Sequence, residues 1–199
     1  MKIEDVISHL KAGGIIAYPT ETVWGLGVDI SNADAIKNLF NLKNRDTTKA
    51  ISVLVANIFQ ARELAEIDSN LEKFMSLFWP GAVTFVVRAK SIVPDEITGK
   101  TGFVGLRCSS HPFVSELTKK LGTSITSTSA NKSGESPAQN ENDLLKWLPS
   151  EVMKVEWKED RKGFSSLGST VVKIENEKLS LLRQGDIDFK FIENHFQKL

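Results

Sequence analysis

Four polar clusters hold the side chains that could do chemistry. Thr20, Glu21 and Thr22 follow an apolar run and precede Trp24-Gly25-Leu26-Gly27. Two hydroxyls, a carboxylate and an indole therefore share a turn whose glycines admit close backbone approach. Lys43, Arg45 and Lys49 put three cations within seven residues beside a single acid, Asp46. Lysine as a point charge and arginine as a bidentate fork suit a polyphosphate, although a helix C-terminus favours cations by its dipole alone. Arg107 and Ser109 end a third apolar run. The stretch 127–134 offers hydroxyls, Asn131 and backbone N–H groups that can ring a phosphate or a ribose. It reads equally as a solvated serine-rich turn, so composition leaves both readings open.

The familiar catalytic templates are missing. There is no GxxxxGK[ST] phosphate loop, no GxGxxG after a strand and no GxSxG elbow. His9, His111 and His195 stand in no metal-ligand spacing. Cys108 is the only cysteine, which excludes a disulfide framework and a cysteine-based zinc site and fits a reducing cytoplasm. With no base partner in view it reads as a buried structural thiol. Lys plus Arg and Asp plus Glu are 25 each, so binding of nucleic acid by net charge alone is not expected. Residues 1–14 are amphipathic and carry acids, unlike a signal or transit peptide. No apolar run approaches the roughly 20 residues of a membrane span.

Elements must bring these clusters together. Ile3, Val6, Ile7 and Leu10 fall at helical spacing before Gly13-Gly14. Residues 15–18 read as a buried strand that Pro19 ends, opening into a ligand-type loop through Asp29. Ser31 is the expected cap of a helix that ends near Lys43-Asn44-Arg45. Strands are expected at 51–55, 82–87, 103–106, 124–127, 152–155, 170–174 and 179–182, the last two as a hairpin. Short helices are expected after Asn57 and Ser69, over 113–121 and 143–147, and from Asp188 to Phe196. Residues 91–102 read as a loop and 158–168 as a mobile loop that could act as a lid. With no internal repeat and no linker, residues 1–199 read as one domain: an α/β fold with a twisted, open, mixed parallel and antiparallel sheet flanked by helices.

PTETVWGLG, the Lys43-x-Arg45 pair with KAISVLV, WPGAVTFV, VGLRCSSHP, STSANKSG, GSTVV and LLRQG occur in that order between about Gly13 and Gly185. Together they resemble the YrdC/TsaC family, the threonylcarbamoyl-AMP synthases, in its short single-domain form. The resemblance implies an L-threonylcarbamoyladenylate synthase, a cytoplasmic nucleotidyltransferase. L-threonine and bicarbonate give a carbamate that attacks the α-phosphate of ATP, yielding threonylcarbamoyl-AMP and pyrophosphate. A separate transferase complex would then build N6-threonylcarbamoyladenosine at position 37 of tRNAs reading ANN codons. Carried over residue by residue, Lys43 and Arg45 would be catalytic and hold the phosphates with Lys49. Ser129, Asn131, Ser136 and Arg183 would complete the ATP side. Thr22, Arg107, Ser127 and Ser169 would form the threonine and carbamate side, with Arg107 on the carboxylate. ATP enters as substrate, and Mg2+ is expected without a dedicated protein cage. A chemistry in which the carbamate itself attacks needs positioning and charge stabilisation rather than a protein nucleophile.

Two departures from the family pattern stand out: Asp46, where some relatives have proline, and Leu54, where longer relatives often have histidine. The competing reading is a module that binds double-stranded RNA or tRNA through a concave basic surface, or a ribosome-maturation factor. Weak tRNA binding is compatible with either. The hydroxyls of Thr22, Ser127 and Ser169 favour a small-molecule pocket. A carbamoyl-transferring module like those inside hydrogenase-maturation proteins lacks its usual neighbouring domains here.

Overall fold

The computed structural model describes residues 1–132, 134, 138, 141–156 and 167–198. The strands are β1 Ile16–Tyr18, β2 Gly25–Gly27, β3 Ser52–Leu54, β4 Val83–Arg88, β5 Phe103–Arg107, β6 Ile125–Ser129, β7 Met153–Lys154, β8 Thr170–Glu175 and β9 Lys178–Arg183. The helices are α1 Ile3–Lys11, α2 Ala33–Lys43, α3 Ile58–Leu64, α4 Ser69–Ser76, α5 Asp95–Thr98, α6 Pro112–Leu121, α7 Glu141–Leu145 and α8 Phe189–Phe196.

The described strands form one sheet in the order β7-β1-β2-β6-β3-β5-β4-β8-β9. β1/β7, β3/β5 and β4/β8 are parallel and the other pairs antiparallel. This is the open mixed sheet expected from the alternation of elements, with β8 and β9 as the hairpin at one edge. Both faces are covered. Ile16 and Tyr18 of β1 and Leu54 of β3 pack with α1 and α6, while Ala17 and Val53 pack on the other side with α2, α3, α4 and α8. Side chains alternate across a strand, so a strand buried on both faces must be apolar throughout, as β1 is.

Local chemistry explains most boundaries. Asn57 Oδ1 accepts from Gln60 N at 3.0 Å and caps α3 as expected. Pro112 opens α6 and Gly122, at φ +77°, closes it. Two caps differ from expectation by one residue. Asp29 Oδ1 takes both the N–H of Ser31 (2.9 Å) and its hydroxyl (2.8 Å), which leaves Asn32 to cap α2 on Ala35 N. Asp68, not Ser69, caps α4 through Leu71 N.

Two larger corrections bear on the site. Residues 25–27 are not loop but β2, paired with β1 (Tyr18 opposite Gly25) and with β6 (Leu26 opposite Thr128). The glycines are there because the Tyr18 ring lies across the strand. A Cβ at Gly25 would sit 2.9 Å from Tyr18 Cζ, and one at Gly27 would sit 2.6 Å from Thr126 O. Gly27→Ala is therefore expected to destabilise the protein by about 1–3 kcal/mol through overpacking. Thermal melting by circular dichroism checks it, and an unchanged melting temperature contradicts it. Residues 91–102 are not all loop either. The one-turn helix α5 ends at Gly99, where a Cβ would meet Thr48 O at 2.5 Å, and Ile97 O accepts from Ile51 N at 3.0 Å. That turn braces the segment carrying Arg45. Among the described residues no helix is long and apolar enough to cross a membrane.

Candidate functional site

A cavity of about 230 Å³ opens where the β1–β2 turn, β3, the ends of β5 and β6, the segment 167–169 and β9 converge. Its wall is polar. Thr22, Arg45, Arg107, Ser127, Ser129, Ser169 and Arg183 all reach it, together with Thr20, Ser52 and Thr84. Three guanidinium groups and a ring of hydroxyls share one small space, which suits anions.

The Arg107 sector is built on the β1–β2 turn. Arg107 is the last residue of β5, and its side chain is only 6% exposed. Its Nη2 pairs with Glu21 Oε1 at 2.7 Å, and Nη1 and Nη2 donate to Thr22 Oγ1 at 3.3 and 3.4 Å. Glu21 also accepts from the Ser109 hydroxyl and from Ser110 N at 3.2 Å. Burial raises the proton affinity of the Glu21 carboxyl. The Arg107 charge and the hydrogen bonds from Ser109 and Arg107 outweigh it and hold the pKa below the usual value. Thr20 Oγ1 donates to Val23 O at 2.7 Å, so at the 3.0 Å contact between the two threonines the Thr22 hydroxyl must be the donor. That leaves the Thr22 lone pairs to Arg107. Cys108 is buried beneath, and its Sγ donates to Ala56 O at 3.5 Å. Burial, then the Glu21 charge, push its thiol pKa up, as a structural cysteine requires.

The cation cluster is divided by Asn44. Its left-handed conformation (φ 48°, ψ 46°) ends α2, with Asn44 N on Asn41 O and Arg45 N on Phe40 O. Lys43 is thereby turned inward and Arg45 toward the cavity. Arg45 Nε donates to Lys49 O at 3.2 Å and Nη2 to Ala50 O at 2.8 Å, and burial lowers its pKa. Lys43 is not on the cavity wall. It is 1% exposed, and its Nζ donates to Ser129 O at 2.5 Å and Asn131 O at 2.7 Å. Lys43 thus ties α2 to the 127–134 stretch, within which Ser129 Oγ donates to Asn131 Oδ1 at 2.5 Å. Lys49 is exposed and off the wall, and only its backbone carbonyl serves the site.

Burial, then the neighbouring Arg45 charge, lower the Lys43 pKa from 10.5 to about 8. Between those values the unfolded chain binds more protons than the folded one, so this lysine's contribution is full above the upper value and lost by the lower one. Denaturant titrations should show the wild type gaining stability relative to Lys43→Met as pH rises from about 8 to about 10. Parallel pH profiles contradict the assignment.

The third sector joins β4, β8 and β9. Ser169 Oγ and Thr84 Oγ1 lie 2.8 Å apart. Arg183 Nη2 donates to Ser169 O at 2.8 Å and to Ser169 Oγ at 3.2 Å. Burial, then the Arg107 charge, lower the Arg183 pKa. Gly185 lies against the backbone of 168–169, where a Cβ would be 2.4 Å from Gly168 O, so Arg183 and Ser169 have one fixed approach.

Of the residues expected from sequence, Thr22, Arg45, Arg107, Ser127, Ser129, Ser169 and Arg183 meet in this cavity. Lys43 and Asn131 stand behind the wall, and Lys49 is displaced from it. Ser136 and residues 158–166 lie outside the described residues, whereas Leu167 and Gly168 line the cavity. Leu54, one of the two departures, also lines it, and Asp46 is exposed on the turn after Arg45. Thr84 was missed. Its signal was a lone hydroxyl in the apolar run of β4. Glu21 and Ser109 were visible as polar residues, but the hydrogen bond that joins them spans 88 positions, and Arg107 meets Glu21 only through the fold.

The family profile described as "Sua5_yciO_yrdC: Telomere recombination" matches residues 8–185. Threonylcarbamoyl-AMP synthase of Buchnera aphidicola subsp. Baizongia pistaciae is 34% identical over 155 residues, covering 76% of this chain and 83% of that protein. The protein of the same name from Thiobacillus denitrificans is 40% identical over 134 residues, covering 66% of this chain and 71% of its own. Among solved structures, P. abyssi Sua5 complexed with L-threonine superposes with a TM-score of 0.89 at 29% identity. The match covers 97% of this chain but 56% of that one.

Proposed function

This chain belongs to the Sua5/YciO/YrdC family, and on that premise we propose that it is an L-threonylcarbamoyladenylate synthase, a nucleotidyltransferase acting on L-threonine, bicarbonate and ATP. The observation that carries the reading is the meeting of three guanidinium groups and a ring of hydroxyls in one cavity, which we assign to two sectors: Arg107 with Thr22 and Ser127, and Arg45 with Ser129 and Arg183. One sector suits an amino-acid carboxylate, the other a polyphosphate. The synthase names of the bacterial relatives and the threonine complex of P. abyssi Sua5 support the assignment.

Arg107 and Thr22 hold the carboxylate, and the hydroxyls of Ser127 and Ser169 lie beside the amino group. The threonine amine condenses with bicarbonate, losing water, to give a carbamate. A carbamate oxygen then attacks the α-phosphorus of ATP in line, and the bond to the leaving pyrophosphate breaks. The product is threonylcarbamoyl-AMP, a mixed anhydride. Arg45 and Arg183 neutralise charge on the phosphates, and Lys43 holds the 129–131 backbone against which the nucleotide sits. Among the described residues no cluster of His, Cys, Asp or Glu could cage a metal, and Glu21 is committed to Arg107. Mg2+ would enter with the substrate on the phosphates of ATP and screen their charge. The product would pass in the cytoplasm to a separate transferase that modifies tRNA. No observation on the structure favours the RNA-binding reading.

Pyrophosphate release by the purified protein with ATP and Mg2+ tests the proposal. Release that requires both L-threonine and bicarbonate is expected. Release without them, or none with them, contradicts it.

A further inference from the structure

The three guanidinium groups of the cavity are not electrically alike. Arg107 is compensated: Glu21 Oε1 lies 2.7 Å from its Nη2, and the two side chains are 6% and 15% exposed. The carboxylate is fixed from behind by the Ser109 hydroxyl and Ser110 N. Arg45, by contrast, donates to the neutral carbonyls of Lys49 and Ala50 and forms no ion pair among the described residues. Arg183 donates to the neutral oxygens of Ser169, with Asp186 a weaker influence on it than Arg107.

Two anions must be sorted in this space if the proposed function holds, and the inference rests on that reading. A polyphosphate carries several charges and seeks net positive potential. A free amino acid is a zwitterion of zero net charge and is held by directional hydrogen bonds. A naked buried arginine would attract either, and the more highly charged phosphate would win. A charge-neutral Arg–Glu pair still offers N–H donors but gives the polyanion no net attraction.

We propose that Glu21 determines specificity in the threonine sector: by neutralising Arg107 it reserves that guanidinium for the zwitterionic amino acid and directs the polyphosphate to Arg45 and Arg183. Glu21 contacts neither substrate and acts through Arg107, so it is a positioning and selecting residue rather than a catalytic one.

The test is steady-state kinetics of pyrophosphate release with inorganic orthophosphate as competitor. In the wild type, orthophosphate should raise the KM for ATP and leave that for L-threonine unchanged. In Glu21→Gln at saturating ATP the KM for L-threonine should rise about tenfold or more, because the phosphates now contest the uncompensated Arg107, with the KM for ATP unchanged. Orthophosphate should now compete with L-threonine. An unchanged threonine KM without phosphate competition overturns the proposal. So does a parallel rise in both KM values with a lowered melting temperature, which marks a merely structural role. If Glu21→Gln fails to fold, Ser109→Ala is read instead. It frees the carboxylate from behind, and a severalfold rise in threonine KM alone is expected, whereas no rise overturns the claim. Should the wild type release no pyrophosphate with threonine and bicarbonate, the proposed function falls separately. Glu21 is then read by calorimetry with orthophosphate: about tenfold tighter binding to Glu21→Gln supports the inference, and equal affinity overturns it.

Discussion

Arg107→Met is expected to lower kcat/KM for L-threonine by on the order of a thousandfold or more, because one substitution removes both the proposed carboxylate anchor and the partner of a buried acid. Methionine keeps much of the volume but none of the donors. Glu21 is left without its cation, held only by Ser109 and Ser110 N. Breaking one side of a buried pair costs about 3–5 kcal/mol, so the melting temperature falls as well. The double variant Arg107→Met with Glu21→Gln should recover stability but not threonine use. That split distinguishes loss of the anchor from loss of the fold. A single variant that retains threonine turnover within tenfold would remove Arg107 from the site.

Arg45→Ala is expected to lower the rate of pyrophosphate release about a hundredfold to a thousandfold, the cost of removing one preorganised charge from a phosphoryl-transfer site. Threonine affinity, measured by calorimetry without nucleotide, should stay within twofold, because the proposed function puts Arg45 on the phosphates. Arg45→Lys should recover only part of the rate. The Arg45 fork is oriented by two donations to its own turn, on Lys49 O and Ala50 O, and an ammonium cannot reproduce that geometry. Partial recovery by lysine shows that the fork matters as well as the charge, whereas equal losses for alanine and lysine would assign the whole effect to the fork. Full activity in Arg45→Ala contradicts the phosphate assignment.

The parts of the fold that were legible in the sequence are those whose causes are local. The apolar run at 15–18, the Asn57 cap and the 179–182 strand paired in a hairpin each carry their signal within a few residues. Strand β2 was not legible because Gly-Leu-Gly has the composition of a turn. Its pairing partners include β6, a hundred residues away, and the reason for its glycines is the ring of Tyr18. The cap of α2 moved by one residue because Asp29 had already claimed Ser31, a competition that cap preference alone cannot rank. The same division runs through the site. Arg45, Arg107 and Arg183 were identifiable from their ordered motifs. Lys43 and Arg45 share a motif and a sign, yet the left-handed Asn44 between them sends one inward to Ser129 and Asn131 and the other to the cavity. Lys49 lies one turn too far along to follow. Glu21 was in plain view, but its role depends on which charge it meets across the sheet.

In the proposed reaction the carbon of bicarbonate becomes bonded to the threonine nitrogen and, through a carbamate oxygen, to the α-phosphorus of ATP. Mass spectrometry of the nucleotide product made from 13C-labelled bicarbonate measures this most directly. The expected product is an adenylate carrying both threonine and one labelled carbon, formed in step with pyrophosphate. A threonyl-adenylate without the label, or AMP alone, would contradict it.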